Sequence, residues 1–388
     1  MSAAFDFDLC IIGLGPAGAT LARLLADSGL HVAAIDRKSD RPDSFRKPCG
    51  GLIAPDAQKA LARYALSLPG AVLASPQIFS VRTLDLDTGL SRHYRRFYLN
   101  TDRDRFDRWL ISLIGPRVRV FSGMRCTALS RLTQGGFSVS FAPDGSAGAP
   151  AQVLTCRQLV GADGAHSLVR RLLPARPIRQ YVCIQQYFPD PSALPYYSAI
   201  FDSTLTDCYA WSDSKDGVFI LGAALPVQGC RSAFSALRDK LAAQGLSFLR
   251  EPPLHTEACL VNRPASPRAF SLCEAGAFLI GEAAGLVSPS SLEGISSAME
   301  SARLLAKALH NRRPEAAYRR AVFPLCLKLT LKLLKCPFLY WPRLRALVMK
   351  SGLAAIAVHS SPEQTLPRTD APGPADERPD PETEEVLP

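Results

Sequence analysis

The sequence predicts an α/β fold: a Rossmann-like dinucleotide-binding domain with an inserted antiparallel-sheet domain and a helical C-terminal region. Three observations predict it. The first is Gly13-Leu14-Gly15-Pro16-Ala17-Gly18, which follows an apolar run at 9–12 and opens a helix-like stretch at 19–26. A glycine fingerprint between strand and helix is the phosphate-binding turn of a βαβ unit. The second is a pair of later glycine turns at strand ends, Gly161-Ala162-Asp163-Gly164 after 153–160 and Gly281-Glu282-Ala283-Ala284-Gly285 after 277–280. The third is a set of strand-like segments with no helices between them, which argues for a second sheet.

Each part of the fingerprint has its own reason. Gly13 permits the tight turn, Gly15 carries no side chain to block a pyrophosphate, and Gly18 lets the helix pack on the strand. The free N–H groups of the helix start attract an anion. A second strand at 31–35 ends in Asp36, close to the spacing at which an acid accepts the ribose hydroxyls of an adenosine. FAD and NAD share this half-site, so the first motif alone does not choose between them.

Farther along, 78–86 and 91–99, joined by Asp87-Thr88-Gly89, read as a hairpin. Segments 181–187, 197–201, 208–211 and 217–222 read as further antiparallel strands, while helix-like stretches at 105–113 and 295–309 return the chain to the first domain. The expected organisation is a cofactor domain in three parts, residues 1–75, 101–175 and 265–312, with a substrate domain in two, residues 76–100 and 176–264. Residues 313–358 form a helical region. There the leucines at 325, 327, 329, 331 and 333 alternate as in a strand, but Lys328, Lys332 and Lys335 fall at helical spacing, and leucine and lysine favour helix. Residues 335–342, with Pro337, Pro342 and aromatics suited to a water–lipid boundary, interrupt that helix. An acidic, proline-rich tail at 359–388 is expected to be disordered.

The chain has 388 residues, 47% of them hydrophobic, enough for a large core in two lobes. Its net charge of +10 is uneven. Much of the excess lies between His310 and Lys350, where Arg312, Arg313, Arg319, Arg320, Lys328, Lys332, Lys335, Arg343, Arg345 and Lys350 face only Glu315. This reads as a basic solvated helix face or a contact with anionic headgroups, not as a nucleic-acid surface. Eleven cysteines without a CxxC pair fit neither a zinc site nor a disulfide scaffold, and no metal site is expected. No apolar run reaches a membrane span, and the acidic first eight residues do not read as a secretory signal. A cytoplasmic protein is expected, with peripheral contact at the inner face of the cell membrane as an added reading.

Taken together the motifs resemble the FAD-dependent oxidoreductases with the para-hydroxybenzoate hydroxylase type of fold, and within them the geranylgeranyl reductase family. Lys47-Pro48-Cys49-Gly50-Gly51 is similar to that family's cysteine-glycine motif, Arg103-Asp104-Arg105-Phe106-Asp107 to its arginine helix, and residues 286–295 to the stretch after its acidic turn. Order and spacing agree over roughly residues 8–305. Two departures stand out: Glu282 replaces the usual aspartate, and Tyr209-Ala210-Trp211 continues as Ser212-Asp213 where a phenylalanine-proline pair is usual.

The resemblance implies FAD as cofactor, with contacts from the fingerprint residues Gly13, Gly15, Pro16, Ala17 and Gly18, then Asp36, Arg37, Arg103, Cys126, Asp163, Gly164, Gly281 and Glu282. It implies that Pro289 lies near the flavin N5, and that the backbones of Gly294 and Ile295 face the N1 and O2 edge, where a helix start favours negative charge. Cys49, with Gly50 and Gly51, would border the active site as proton donor or as a small wall. Tyr209 and Trp211 would wall the substrate cavity or belong to the sheet core. His166 reads as a surface or capping residue. The implied activity is hydride transfer from reduced flavin to a carbon-carbon double bond of an isoprenoid or other apolar substrate. An aromatic hydroxylase, or a flavin electron-transfer protein docking at the membrane surface, are the alternatives. No second complete fingerprint is visible, so the electron donor would be a transiently bound NADPH or a protein such as ferredoxin.

Overall fold

A computed structural model describes residues 5–41, 44–146, 148–190 and 193–357. The acidic tail expected at 359–388 lies outside the described residues. Strand β1 (Phe7–Ile12) pairs in parallel with β2 (Val32–Asp36), and helix α1 (Pro16–Leu25) makes the crossover. Leu9, Cys10, Ile11 and Ile12 are all buried, as a central parallel strand with covered faces requires. Helix α1 starts three residues before the predicted stretch because Pro16 occupies its first turn, where a missing N–H costs nothing.

The chain then leaves this sheet through β3 (Leu52–Ile53), α2 (Pro55–Arg63) and the hairpin of β4 (Ile78–Asp85) and β5 (Leu90–Asn100). Helix α3 (Arg103–Ser112) brings it back, capped by Asp102, whose side chain accepts from the Arg105 N–H. Strand β6 (Val118–Ser122) joins the parallel sheet beside β2. Next, β7 (Met124–Arg131) and β8 (Phe137–Pro143) form an antiparallel pair leading into β9 (Gln152–Gly161), which runs parallel to β1 on its other side.

The second sheet takes β10 (Arg179–Pro189), β11 (Tyr196–Phe201), β12 (Ala210–Lys215) and β13 (Val218–Pro226), then α4 (Cys230–Ala243) and β14 (His255–Arg263). Short strands β15 (Cys273–Glu274) and β16 (Ala277–Leu279) return to the first sheet. The run ends with α5 (Ile295–Leu309), α6 (Pro314–Leu331), α7 (Cys336–Tyr340), α8 (Pro342–Ser351) and β17 (Ala355–Ile356). Strand order is β15-β16-β9-β1-β2-β6 in one sheet and β14-β10-β13-β12-β11-β4-β5-β17 in the other.

The second sheet is antiparallel except at one seam. Strand β11 runs parallel to β4, because the chain reaches it after a passage through the first sheet rather than by a hairpin turn. One face of this sheet packs Ile184, Phe188, Phe219 and Leu221 under Phe234 and Leu237 of α4. Its other face, with Tyr181, Cys183, Phe201 and Trp211, meets Tyr340 of α7. Each large side chain so buried contributes about 1.5–3 kcal/mol. Residues up to Ala357 form one compact unit.

The leucines of α6 settle the period in favour of helix: Leu329 is buried, Leu325 half-buried, and Leu327 and Leu331 are exposed. Not every basic residue of the C-terminal region is on the surface. Arg345 is buried and paired with Asp85 at 2.8 Å and with Asp87, so it ties α8 to the β4–β5 hairpin. All eleven cysteines are free thiols. Among the described residues no helix is long and apolar enough to cross a membrane.

Candidate active site

The three glycine turns meet at one end of the parallel sheet. Gly13 has φ +94°, and a Cβ there would meet the Ala162 carbonyl oxygen at 2.7 Å, so the first turn lies directly on the second. A Cβ at Gly18 would overlap the Gly13 carbonyl oxygen, which is the close helix–strand approach that needs glycine. Gly15 differs: nothing lies within 4 Å of the place its Cβ would take. Gly15 is also the N-cap of α1 and has no side-chain cap, so N–H groups of the helix start look into that open space. Pro16, Ala17 and Gly18 are buried behind it.

Asp36, at the end of β2, accepts from the Leu14 N–H and at 2.7 Å from the Lys38 N–H. It thus holds the fingerprint loop as well as marking the end of the strand. Lys38 bridges Asp36 at 3.6 Å and Asp107 at 3.5 Å, and Asp107 accepts from Arg103 at 2.9 Å. Arg37 turns elsewhere: its guanidinium pairs with Asp144 at 2.9 Å and lies 4.2 Å from the Phe45 ring centre. Cys126 is buried, and burial, then the Asp163 charge, push its thiol up to about 12.

In the second turn Asp163 accepts from the Leu168 N–H at 2.7 Å through one oxygen, while its other oxygen is buried with no partner among the described residues. Burial raises its carboxyl above the usual range. His166 is exposed.

The third turn supplies Glu282, which accepts from the Lys47 ammonium and, at 2.9 Å, from the Asn262 N–H of β14. Gly281 has φ +57°, a backbone state glycine adopts freely, and the Ser301 hydroxyl accepts its N–H at 2.9 Å. Gly164 faces this pair, since a Cβ there would lie 3.7 Å from the Glu282 carboxylate. Burial alone would push the Lys47 ammonium down, but the Glu282 carboxylate outweighs it and holds the group above the usual lysine range. An open cleft of about 610 Å³, lined by Ser44, Phe45, Pro48, His255 and Glu257, runs alongside.

Two residues beyond Lys47, the Cys49 sulfur accepts from the Gly51 N–H at 3.5 Å and is also a hydrogen-bond neighbour of the Arg103 guanidinium. Both contacts use the sulfur as an acceptor and hold it against the loop and the start of α3. Gly51 has φ +63°, and a Cβ there would overlap the Thr101 carbonyl oxygen, so the 47–51 loop lies against the start of α3.

Opposite Gly50 lies a polar group in the second sheet that sequence reasoning missed. Gln185 of β10 and Trp211 of β12 stand in register on either side of Gly222 of β13. A Cβ at Gly222 would overlap the indole, so glycine there lets the ring lie across the strand. Gln185 is fully buried, and neither of its amide atoms has a hydrogen-bond partner among the described residues. The same holds for the Trp211 indole nitrogen and both Asp213 carboxyl oxygens, although Lys215 stands 3.4 Å from Asp213. A Cβ on Gly50 would lie 3.7 Å from both Trp211 Nε1 and Asp213 Oδ1. Burial raises the Asp213 carboxyl above the usual range despite Lys215. The signal was present in the sequence: Asp213 is one of the two residues that break the aromatic motif, and Gln185 shares strand parity with Cys183 and Tyr187.

The last wall is the loop before α5. It is closed by Leu292 N–H to the Ser288 carbonyl at 2.9 Å and Ser288 N–H to the Glu293 carbonyl at 3.0 Å. Leu292 has φ +53°, a strained state for a bulky residue. Tyr209 donates to the Ser291 carbonyl at 2.7 Å and Tyr340 to the Ser290 carbonyl at 2.9 Å, while the Pro289 carbonyl accepts from Arg263 at 3.0 Å. Tyr209 is therefore tied to this loop and shares an apolar cluster with Trp211, whose ring centre lies 5.9 Å from its own. Gly294 is the N-cap of α5 without a side-chain cap, and Ile295 is its first residue.

These residues fit a dinucleotide cofactor on their own chemistry: an open cradle at Gly15, uncapped helix starts at α1 and α5, and a buried, unpartnered Asp163 oxygen. The comparisons with known proteins agree in fold. A geranylgeranyl bacteriochlorophyll reductase-like protein from Thermoplasma acidophilum superimposes with a TM-score of 0.65 at 19% identity, covering 90% of this chain and 87% of that one. PqsL, described as a probable FAD-dependent monooxygenase from Pseudomonas aeruginosa, gives 0.64 at 19%, over 89% and 99%. The chain therefore has the FAD-binding, para-hydroxybenzoate hydroxylase-like fold. No family model matches the chain. In sequence, protein CbrA of Shigella flexneri serotype 5b is 46% identical over 355 residues, 90% of this chain and 94% of that protein. CbrA of Escherichia coli O157:H7 is 46% identical over 98% of its length. On that identity and coverage, the chain belongs to the CbrA family.

Proposed function

We propose that this protein is an FAD-dependent oxidoreductase that reduces a carbon-carbon double bond of an isoprenoid or other apolar, lipid-like substrate. The observation that carries the reading is the meeting of three glycine turns around an open Gly15 cradle, with buried Trp211 and Asp213 facing Gly50 and Gln185 across Gly222 from the indole. FAD, once bound, supplies the hydride from its reduced ring. The N–H groups behind Gly15 hold the pyrophosphate, the Asp163 oxygen and the Lys47–Glu282 pair line its course, and the α5 start at Gly294 and Ile295 favours negative charge at the far end.

The substrate end belongs to the second sheet. Trp211, Tyr209 and Tyr197 give an apolar wall. Gln185 and Trp211 Nε1 offer hydrogen bonds to one polar group, which orients an otherwise featureless chain. Asp213 stands beside Gly50 as the proton donor to the substrate carbon, its burial favouring the protonated form against the pull of Lys215. Cys49, already the acceptor for Gly51 and Arg103, shapes the wall. The electron donor in this reading is a transiently bound NADPH or a ferredoxin-like protein.

The test is to incubate the reduced, FAD-loaded protein with prenyl lipids and with lipid extract, and to weigh the products. Products heavier by two hydrogens support the reading. Products heavier by one oxygen, formed only in air, would replace it with the hydroxylase that the same fold also hosts.

A further inference from the structure

The outward side of the C-terminal helices carries a feature that the site does not use. Phe323, Leu327, Leu331, Leu334, Phe338 and Trp341 are all exposed, with Phe323 at 64%, Leu334 at 69% and Trp341 at 62%. Their spacing, four or three residues at each step, sets them on one stripe along the helical run from α6 to the start of α8. The opposite side is packed: Tyr318, Val322 and Leu329 enter the core of the first sheet, and Cys336, Leu339 and Tyr340 pack on the second. These helices are thus apolar on both sides. Single exposed leucines are ordinary, but six bulky apolar residues in line mark a surface that has a partner.

Charge identifies the partner. Arg312, Arg313, Arg319, Arg320, Lys328, Lys335, Arg343 and Lys350 are exposed on the same helical region; Glu315 is the sole carboxylate between 312 and 350, and from outside it Asp56 pairs with Lys328 at 2.7 Å. A second copy of the chain docked on this face would set these cations against their own kind. The acidic sequence beyond 358 could answer the charge, but its only large apolar residues are Leu366, Val386 and Leu387, too few to cover the stripe. An anionic lipid surface answers both features, with acyl chains for the stripe and headgroups for the cations.

We propose that the face formed by α6, α7 and α8 docks on an anionic lipid bilayer, with Phe323, Leu327, Leu331, Leu334, Phe338 and Trp341 in the headgroup–acyl boundary. This stands on the surface alone and does not depend on the proposed reaction. It does place α7 with Phe338 towards lipid and Tyr340 bonded to the 288–293 loop, so a lipid-dissolved substrate would meet the site across a single short helix.

The test is flotation of the full-length protein with vesicles of phosphatidylcholine alone and with phosphatidylglycerol added, compared with the double variant Phe338→Asp, Trp341→Asp. The wild type is expected to float with the anionic vesicles and to be released by salt, and the variant to lose binding at least about tenfold. Both side chains are exposed, so the variant's melting temperature should match the wild type and rule out misfolding. A wild type that stays in solution with both lipids would overturn the proposal. So would a wild-type dimer in sedimentation that the variant splits without any vesicle binding, which would assign the stripe to a second copy, or flotation that appears only after residues 358–388 are removed.

Discussion

Asp213 is a buried carboxyl whose ordinary proton affinity is raised by its surroundings, and this has a sign that can be checked. The unfolded chain releases that proton near pH 4, whereas the folded chain keeps it longer, so wild-type stability falls as pH rises from about 4 through the folded value. Asp213→Asn removes this dependence. Its denaturant midpoint should therefore exceed the wild type's near neutral pH, and the gap should close as the pH is lowered towards 4. In turnover the same variant should lose about 10²-fold or more and abolish the decline at high pH, while Cys49→Ser keeps that decline. If Cys49→Ser alone removes it, the proton comes from sulfur. Lys47 gives a second residue-scale expectation. Lys47→Met leaves Glu282 with the Asn262 N–H as its remaining partner, at a cost of about 1–3 kcal/mol that thermal unfolding of the cofactor-free protein would read.

At the scale of elements, the glycine turns were legible because Gly13 and Gly18 need a residue type that nothing else can replace, being fixed by backbone overlap, whereas Gly15 has open space around it and only a ligand there would call for glycine. Helix α5 was legible to the residue for a related reason, a glycine before a strongly amphipathic run. Strands β7 and β14 were not, since their alternation is weak and their outer faces are largely exposed, and parity alone cannot separate such strands from loops; β8 was passed over although Phe137, Val139 and Phe141 alternate with Ser138 and Ser140 and are buried. Nor could the sequence show that Gln185 and Trp211 flank Gly222, because cross-strand register depends on which strands become neighbours. The burial of Arg345 was hidden for the same reason, its partners Asp85 and Asp87 lying more than 250 positions away. Arg345→Leu should leave both carboxylates without their counter-ion, Asp85 keeping the Asp87 N–H and Thr88 hydroxyl and Asp87 keeping Ser203, and cost about 3 kcal/mol, with α8 loosening first in hydrogen exchange; a loss below about 1 kcal/mol would mean that water already reaches the pair.

For the whole molecule, the two sheets divide the work. The first supplies rigid turns and helix starts that suit an anionic cofactor, the second an apolar wall with one polar spot, and the C-terminal helices close the wall on one side while showing a basic, apolar face on the other. The central claim is that the turns hold FAD along its length, and Gly15→Ala tests it most directly, because that Cβ meets no protein atom and α1 loses no side-chain cap. The measurement is the FAD stoichiometry of purified and reconstituted protein beside the melting temperature of the cofactor-free form. The account predicts a yellow wild type with one FAD per chain, and a Gly15→Ala variant whose cofactor-free stability stays within about 1 kcal/mol of wild type while its FAD content collapses. A wild type that takes up no FAD when supplied in excess, or a variant that binds it as well as wild type, would contradict it.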